Sequence, residues 1–135
     1  MAANTSPIFG LTANLAEVTF VNADGTTAKD LVSAGTDGTK VTRIAVTSDD
    51  TSAVNLKILI HDGSTAFWAG TVRVATLSGT DGAAAAVNLL NPLMLPWLDI
   101  DGEFFIPSGY KVQVAPLVAV TTAKTVTIVC FAVNY

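Results

Sequence analysis

The sequence predicts an all-β protein: an antiparallel β-sandwich that is jelly-roll-like, with about eight strands. Val and Thr, which favour extended backbone, account for 16 and 18 of the 135 residues. Asp-Gly pairs, which favour tight turns, separate the apolar runs. The five pairs begin at Asp24, Asp37, Asp62, Asp81 and Asp101. Eight short strands in a chain of this size are typical of two packed sheets, and the jelly roll is the common eight-stranded form.

Each run between these turns predicts a strand. In the run 41–47, Ile44 and Val46 alternate with Arg43 and Thr47, as in a strand buried on one face. The runs 53–60 and 66–74 are joined by a short turn, which predicts a hairpin. Runs bounded by proline are expected at sheet edges. The predicted strands cover residues 17–21, 41–47, 53–60, 66–74, 93–98, 103–106, 110–115 and 125–135. Residues 82–90 include four alanines but run into Asn91-Pro92, so a loop or an extended segment is expected there.

Two segments depart from this pattern. Residues 1–14 are uncharged, interrupted by proline and carry Ile8, Phe9 and Leu11, which such a segment cannot bury on itself. We expect an extended N-terminal arm over residues 1–14 that lies along its own domain or a neighbour, and a single sandwich domain over residues 15–135.

The last strand is apolar on both faces. Its two sets of side chains are Val126, Ile128 and Cys130 on one face and Val129, Phe131 and Val133 on the other. A strand that is solvated on one face should instead alternate with polar residues. Either the long loop over residues 21–40 covers the second face, or that face meets another subunit.

Composition excludes several functions. Charged residues are 13% of the chain, about half the usual share, and the net charge is −4 with seven Lys and Arg. A nucleic-acid binder would carry a basic surface, and a disordered chain would be richer in charge. No run reaches the roughly 18 apolar residues of a membrane helix, so no membrane partner is expected. The N-terminus lacks the basic and apolar regions of a secretory signal, which predicts a protein that stays inside the cell that makes it.

No motif in the chain predicts catalysis. A nucleophile elbow, a phosphate loop and a dinucleotide fingerprint are all absent, so we expect no enzyme activity and no cofactor. His61-Asp62 could orient a base, but a histidine in a solvated turn is the simpler interpretation. Cys130 is the only cysteine and is expected to be a small core residue. Asp49-Asp50 is expected to form an acidic, solvated loop tip that caps a turn.

The best candidates for chemistry are Asp99, Asp101 and Glu103. Three carboxylates around a glycine could bind a hard cation such as calcium, or they could form an ordinary charged turn. Two of them could also serve a sugar hydrolase, which would need a cleft with aromatic walls such as Trp68 and Trp97. We expect both tryptophans to belong to the core.

The sequence resembles small structural proteins of tailed bacteriophages over nearly its full length. The likeness lies in the opening Met1-Ala-Ala-Asn-Thr-Ser-Pro-Ile-Phe9, the run 41–48, the turn after Leu59-Ile60-His61, the run 86–93, Ile106-Pro-Ser-Gly-Tyr110 and Lys124-Thr-Val-Thr127. Within these proteins the chain is similar to capsid decoration, or cement, proteins. The resemblance implies a β-sandwich without catalytic residues, placed on the outer surface of the capsid after synthesis in the host cytoplasm. It implies the major capsid protein as partner, bridged by a homo-oligomer (dimer or trimer).

The segments that a packed monomer explains least are therefore expected to contact the capsid or a sister subunit. These candidate contact residues are Ile8, Phe9, Leu11, Val129, Phe131, Val133 and Tyr135. The alternative is a fibre or tail-associated module that binds a host receptor or glycan. Such a module would expose aromatic residues in a shallow groove, with Trp68, Trp97, Tyr110 or Tyr135 as candidates.

Overall fold

A computed structural model describes residues 10–135, which form two antiparallel sheets packed face to face. The strands are β1 (Thr12–Val21), β2 (Lys29–Ser33), β3 (Thr39–Ser48), β4 (Val54–His61), β5 (Ala66–Val74), β6 (Val87–Asn88), β7 (Phe104–Ile106), β8 (Lys111–Pro116) and β9 (Thr125–Asn134). One 3-10 turn, Asn22–Asp24, follows β1.

The connections are those of a jelly roll. The first sheet has the order β1-β9-β3-β6, with the short β7 also paired to β3, and the second has the order β2-β8-β4-β5. Because the chain crosses repeatedly between the sheets, β1 and β9, its first and last strands, become neighbours. Strands β6 and β7 together fill the place of one strand, so the predicted jelly-roll-like sandwich is confirmed.

The core lies between the two sheets. Ile44 and Ile128 from the first sheet and Leu56 and Ile58 from the second are fully buried. Cys130 is buried among them, and this burial raises the pKa of its thiol to about 12. The thiol is therefore neutral at physiological pH and packs as the small core residue that the sequence predicts.

Strand β2 was not predicted, and its position decides whether the segment 21–40 covers the second face of β9. Leu31 and Val32 are buried and the strand pairs with β8 in the second sheet. The segment 21–40 therefore does not cover the second face of β9, and the first of the two explanations for that face is wrong. The sequence pattern does not reveal β2 because the strand is five residues long and contains a register shift between Asp30 and Val32.

The predicted strand over residues 93–98 is also wrong, because this segment forms consecutive turns. The backbone oxygen of Asn91 accepts hydrogen bonds from the backbone nitrogens of Met94 (3.0 Å) and Leu95 (2.8 Å). Leu95 and Leu98 enter the core, and Leu95 packs on Gly70, where a side chain would collide with it. The alanine-rich segment 82–90 is a loop that contains only the two-residue β6, as expected.

Strand β1 begins earlier than predicted. It starts at Thr12, so residues 12–14 of the expected arm belong to the first sheet. The Asn14 side chain donates to Asn134 Oδ1 (3.2 Å), which also accepts from the Thr39 hydroxyl (2.6 Å). These bonds hold β1, β9 and β3 together at one end. The rest of the arm, residues 1–9 with Ile8 and Phe9, lies outside the described residues.

Asp50 does not form the solvated loop tip that the sequence predicts. Its side chain is buried, with 1% of the residue exposed. One carboxylate oxygen accepts from the Ser52 backbone nitrogen (2.8 Å) and the Thr121 hydroxyl (2.7 Å), and the other accepts from the Thr121 backbone nitrogen (3.0 Å). Asp50 therefore ties the β3–β4 turn to the loop between β8 and β9.

Candidate interaction surface

The first sheet has a solvent-facing side that is unusually apolar. Side chains alternate along β9, so that Ile128 and Cys130 point inward while Val129, Phe131 and Val133 point outward. We call this side, with its neighbours on β1 and β7, the outer face. Its apolar members are Leu11, Ala13, Leu15, Phe105, Val129, Phe131, Val133 and Tyr135.

Strand register gathers these side chains into rows. In one row Leu15 of β1 lies opposite Phe131 of β9, which in turn lies opposite Arg43 of β3. Leu15 is 66% exposed and Phe131 is 43% exposed. Since β9 lies between β1 and β3, its outward side chains sit in the middle of the sheet, and within residues 10–135 no element packs over them. This observation favours the second explanation, contact with another molecule.

One end of the outer face is aromatic. The rings of Phe105 and Tyr135 lie 5.8 Å apart between centroids. Gly38 lies directly under the Phe105 ring, so a Cβ at this position would overlap the ring. Gly38 also has a φ of +92°, which favours glycine. The Gly38 backbone oxygen accepts from the Tyr135 backbone nitrogen (3.2 Å), which holds Tyr135 beside Phe105.

Charges of both signs surround the apolar centre. Lys40 pairs with Glu103 (Nζ to Oε1, 3.1 Å), and this carboxylate raises the pKa of Lys40. A shallow cleft of about 490 Å³ lies next to Phe131, and Arg43, Asp101 and Glu103 contribute to its lining. An apolar centre with a charged rim is the usual arrangement of a protein–protein interface.

The structure brings most of the predicted contact residues together. Val129, Phe131, Val133 and Tyr135 share the outer face, and Leu11, 79% exposed, lies at its margin. Three members, Ala13, Leu15 and Phe105, were not predicted. Leu15 is visible in the sequence only once β1 is known to extend back to Thr12, and Phe105 only once β7 is known to pair with β3.

Two of the three candidate carboxylates, Asp99 and Glu103, are engaged in other interactions. One oxygen of Asp99 accepts from the backbone nitrogens of Asp101 (3.0 Å) and Glu103 (2.9 Å), while the Glu103 side chain pairs with Lys40. Across residues 10–135, no three His, Cys, Asp or Glu side chains lie close enough to hold an ion together. Asp99 and its neighbours therefore form the charged turn that was the other interpretation of this segment.

A second concavity, of about 460 Å³, has aromatic walls. We call it the aromatic pocket; it lies beside the outer face and is lined by Ile60, Trp97, Asp99, Glu103, Phe104, Phe105, Ile106, Pro107 and Tyr110. The Trp97 indole nitrogen donates to the Ala69 backbone oxygen (2.9 Å), and the Phe104 ring meets the indole edge to face at 5.0 Å. These two contacts fix the orientation of the indole.

Of the four aromatic residues that a glycan module would use, only Trp97 and Tyr110 meet in this pocket. Trp68 lies on β5, where its indole nitrogen donates to the Thr71 hydroxyl (3.0 Å) and the Lys57 ammonium group lies 5.3 Å from its ring centroid. Trp68 is 62% exposed and Trp97 is 39% exposed, so the expectation that both belong to the core is wrong. Their polar indole nitrogens and positions at the sheet edge keep them at the surface.

The side chains of His61 and Asp62 accept hydrogen bonds from backbone nitrogens of the β4–β5 turn. His61 Nδ1 accepts from the Gly63 backbone nitrogen (3.0 Å). The Asp62 carboxylate accepts from the backbone nitrogens of Thr65 and Ser64, and these two bonds lower its pKa. Both side chains are therefore engaged in the β4–β5 turn, as the simpler interpretation predicts.

No model of a protein family matches the chain, and no match is found among curated proteins. The described part of the chain has no helix long and apolar enough to cross a membrane. Assignment of function therefore depends on the site geometry and on the sequence resemblance.

Proposed function

We propose that this protein is a structural virion protein that binds the outside of a bacteriophage capsid and stabilises it by bridging major capsid subunits. The observation that carries the proposal is the outer face, where apolar side chains cluster on a rigid sheet and remain exposed. Jelly rolls are common among viral capsid proteins, which agrees with the proposal. The proposed role needs no catalytic step and no cofactor.

The exposed side chains provide enough apolar surface for useful binding. Leu15, Phe105 and Phe131 are 66%, 53% and 43% exposed. Together these exposed fractions amount to roughly one and a half large side chains. Burying that much apolar surface in an interface would contribute about 3–4 kcal/mol to the binding free energy. Binding to a repeated lattice also multiplies such modest contacts, because a homo-oligomer engages several capsid subunits at once.

The low charge of the chain supports the same role. Each unpaired charge that an interface desolvates costs free energy. Strand β9, at the centre of the outer face, carries no charge. Glu17 and Arg43 flank it on β1 and β3, and Lys40 and Glu103 form an ion pair at the rim. The candidate arm residues Ile8, Phe9 and Leu11 would add apolar contacts at the margin, where Gly10 lies against Val133.

The test compares two phenylalanines of similar exposure on different sheets. Phe131→Ser removes an aromatic ring from the outer face, and Phe67→Ser removes one from β5, where Phe67 is 55% exposed. Binding of each purified variant to undecorated heads is measured by co-sedimentation, after circular dichroism shows that it is folded. We expect Phe131→Ser to lose most of its occupancy and Phe67→Ser to keep it.

Equal binding by both variants would contradict a role of the outer face. Deletion of residues 2–11 tests the arm separately, because it leaves Phe131 in place. Reduced occupancy of that variant supports an arm contact, and unchanged occupancy refutes it.

The aromatic pocket supports a second candidate function, a virion module that binds a host glycan. Sugars stack on exposed aromatic rings and donate hydrogen bonds to carboxylates, and the pocket offers Trp97, Tyr110, Asp99 and Glu103. Trp97→Ala should abolish any signal on a glycan array, while Trp68→Ala should leave it unchanged. Absence of binding by the unaltered protein would reject this candidate.

A further inference from the structure

Within residues 10–135, no strand pairs with the middle of one sheet edge. In β1, the strand at the edge of the first sheet, ten residues pair with β9 without a register shift. It contains no proline and one charged residue, Glu17. Natural proteins usually protect such an edge, because its unpaired N–H and C=O groups can bind another strand.

The other edges have such protection. At β5, the Trp97 indole donates to the Ala69 backbone oxygen (2.9 Å) and Leu95 packs on Gly70. β2 has five residues and is interrupted by a register shift after Asp30. β6 and β7, on the far side of the first sheet, have two and three residues.

The hydrogen bonding of β9 shows which backbone N–H and C=O groups of β1 point to the open edge rather than to β9. Tyr135 donates to Gly38 at the start of β3, so odd-numbered residues of β9 bond toward β3 and even-numbered ones toward β1. In the β1–β9 register, even-numbered residues of β1 face even-numbered residues of β9. The odd-numbered residues of β1 therefore turn their backbone groups to the open edge.

At both ends of this edge, the backbone groups of β1 and of Leu11 already have hydrogen-bond partners. Lys29 donates to the Thr19 backbone oxygen (2.7 Å), and the Val21 backbone nitrogen donates to Asp24 (2.9 Å). At the other end, the Leu11 backbone nitrogen donates to Asn134 (2.9 Å). The open segment of the edge is therefore Ala13, Leu15 and Glu17.

We propose that this open segment pairs with the same segment of a second copy, antiparallel about a twofold axis at Leu15. Leu15 then faces the partner's Leu15, and Ala13 faces the partner's Glu17. Every open N–H and C=O group of the three residues finds a partner in this register. The contact is self-complementary, as a symmetric dimer requires.

Charge and apolar surface favour this register over its neighbours. An axis at Glu17 would place two carboxylates side by side, which is unfavourable. With the axis at Leu15, the two Glu17 residues are four positions apart along the strands, about 14 Å, which exceeds the screening length of about 8 Å. The two exposed Leu15 side chains meet, so the outer faces of both copies become one surface. The proposed pairing depends only on the β1 edge and does not require that the protein binds a capsid.

Oligomeric state in solution tests the proposal. Sedimentation over a range of concentrations should show a species of about twice the 13.9 kDa chain mass. Ala13→Pro removes one edge N–H while sparing the bonds to β9, and Leu15→Lys places two like charges at the axis. Because each change occurs twice in a symmetric dimer, the dimer dissociation constant should rise about tenfold or more. Phe67→Lys, on β5, serves as control and should leave it unchanged.

Mixing two variants tests the axis directly. Leu15→Lys and Leu15→Glu should each weaken the dimer when alone, and an equimolar mixture should recover it, because opposite charges then face each other. Circular dichroism of each variant separates weak pairing from loss of folding. Failure of the mixture to recover would overturn the register. A native protein that remains monomeric would overturn the proposal. If Ala13→Pro then also lost binding to heads, the edge would instead pair with a strand of the capsid.

Discussion

Replacement of Asp50 by asparagine should destabilise the protein in a pH-dependent way. The two side chains have nearly the same shape, but the amide presents an NH2 group where one carboxylate oxygen accepts hydrogen bonds. At least one donor among the Ser52 and Thr121 groups then faces another donor. A buried polar group left without a partner costs about 1–3 kcal/mol. Because Ser52 and Thr121 lie near solvent, where water can replace part of the loss, we expect about 1–2 kcal/mol for Asp50→Asn and about 3 kcal/mol for Asp50→Ala.

The sign of the pH dependence follows from the carboxylate. Burial raises the pKa of Asp50, but the backbone nitrogens of Thr121 and Ser52 and the Thr121 hydroxyl outweigh burial, so the pKa lies below its usual value of about 3.9. A carboxylate whose pKa is lowered by folding stabilises the folded protein at pH values above its unfolded-state pKa. This stabilisation is lost as the pH falls through the folded-state pKa. The difference in unfolding free energy between native protein and Asp50→Asn should therefore be full at pH 7 and decrease below about pH 4.

Urea denaturation followed by fluorescence between pH 7 and pH 3 measures this difference. Other carboxylates are common to both proteins, so subtraction leaves the contribution of Asp50. Asp81→Asn is the matched control: Asp81 also accepts from backbone nitrogens, those of Ala83 and Ala84, but only within its own exposed turn. It should lose less stability than Asp50→Asn. A loss below about 0.5 kcal/mol for Asp50→Asn, or one independent of pH, would refute the reasoning.

Three further outcomes are expected. Gly38→Ala should cost about 2–4 kcal/mol in thermal or urea unfolding, since its Cβ meets the Phe105 ring at a positive φ, whereas Gly82→Ala, with open space at a φ of +78°, should cost only about 1 kcal/mol. Cys130 should resist Ellman's reagent in the native protein at pH 8 and react in urea; rapid native reaction would contradict its burial. Leu56→Ala should cost about 2–5 kcal/mol, and a loss under 1 kcal/mol would show that the core between the sheets is not closely packed.

The fold class could be predicted because its signals are local. Turns at Asp62-Gly63 and similar pairs depend on the backbone preferences of two adjacent residues. Alternation in β3 and β4 depends on the two-residue period of a strand, which the sequence displays directly. The apolar second face of β9 was visible for the same reason, and it pointed to the outer face before any contact was known.

Three features could not be predicted because they depend on distant segments. β2 is a strand because β8 lies beside it, and residues 93–98 form turns because Leu95 fits over Gly70. Asp50 looks like a solvated acidic residue in the sequence, but Thr121, 71 positions away, supplies two of its hydrogen-bond donors. The aromatic pocket likewise joins Trp97 to Tyr110 across a turn and a strand.

By itself, the sequence determined that this protein is a β-sandwich and that its last strand is apolar on both faces. Tertiary structure decided where that face lies. Register places Leu15, Phe131 and Phe105 on one side of the first sheet, and because β2 belongs to the second sheet, no element of residues 10–135 covers them. The physical reason is that side-chain alternation is a property of each strand, whereas pairing and exposure depend on which strands the fold makes neighbours.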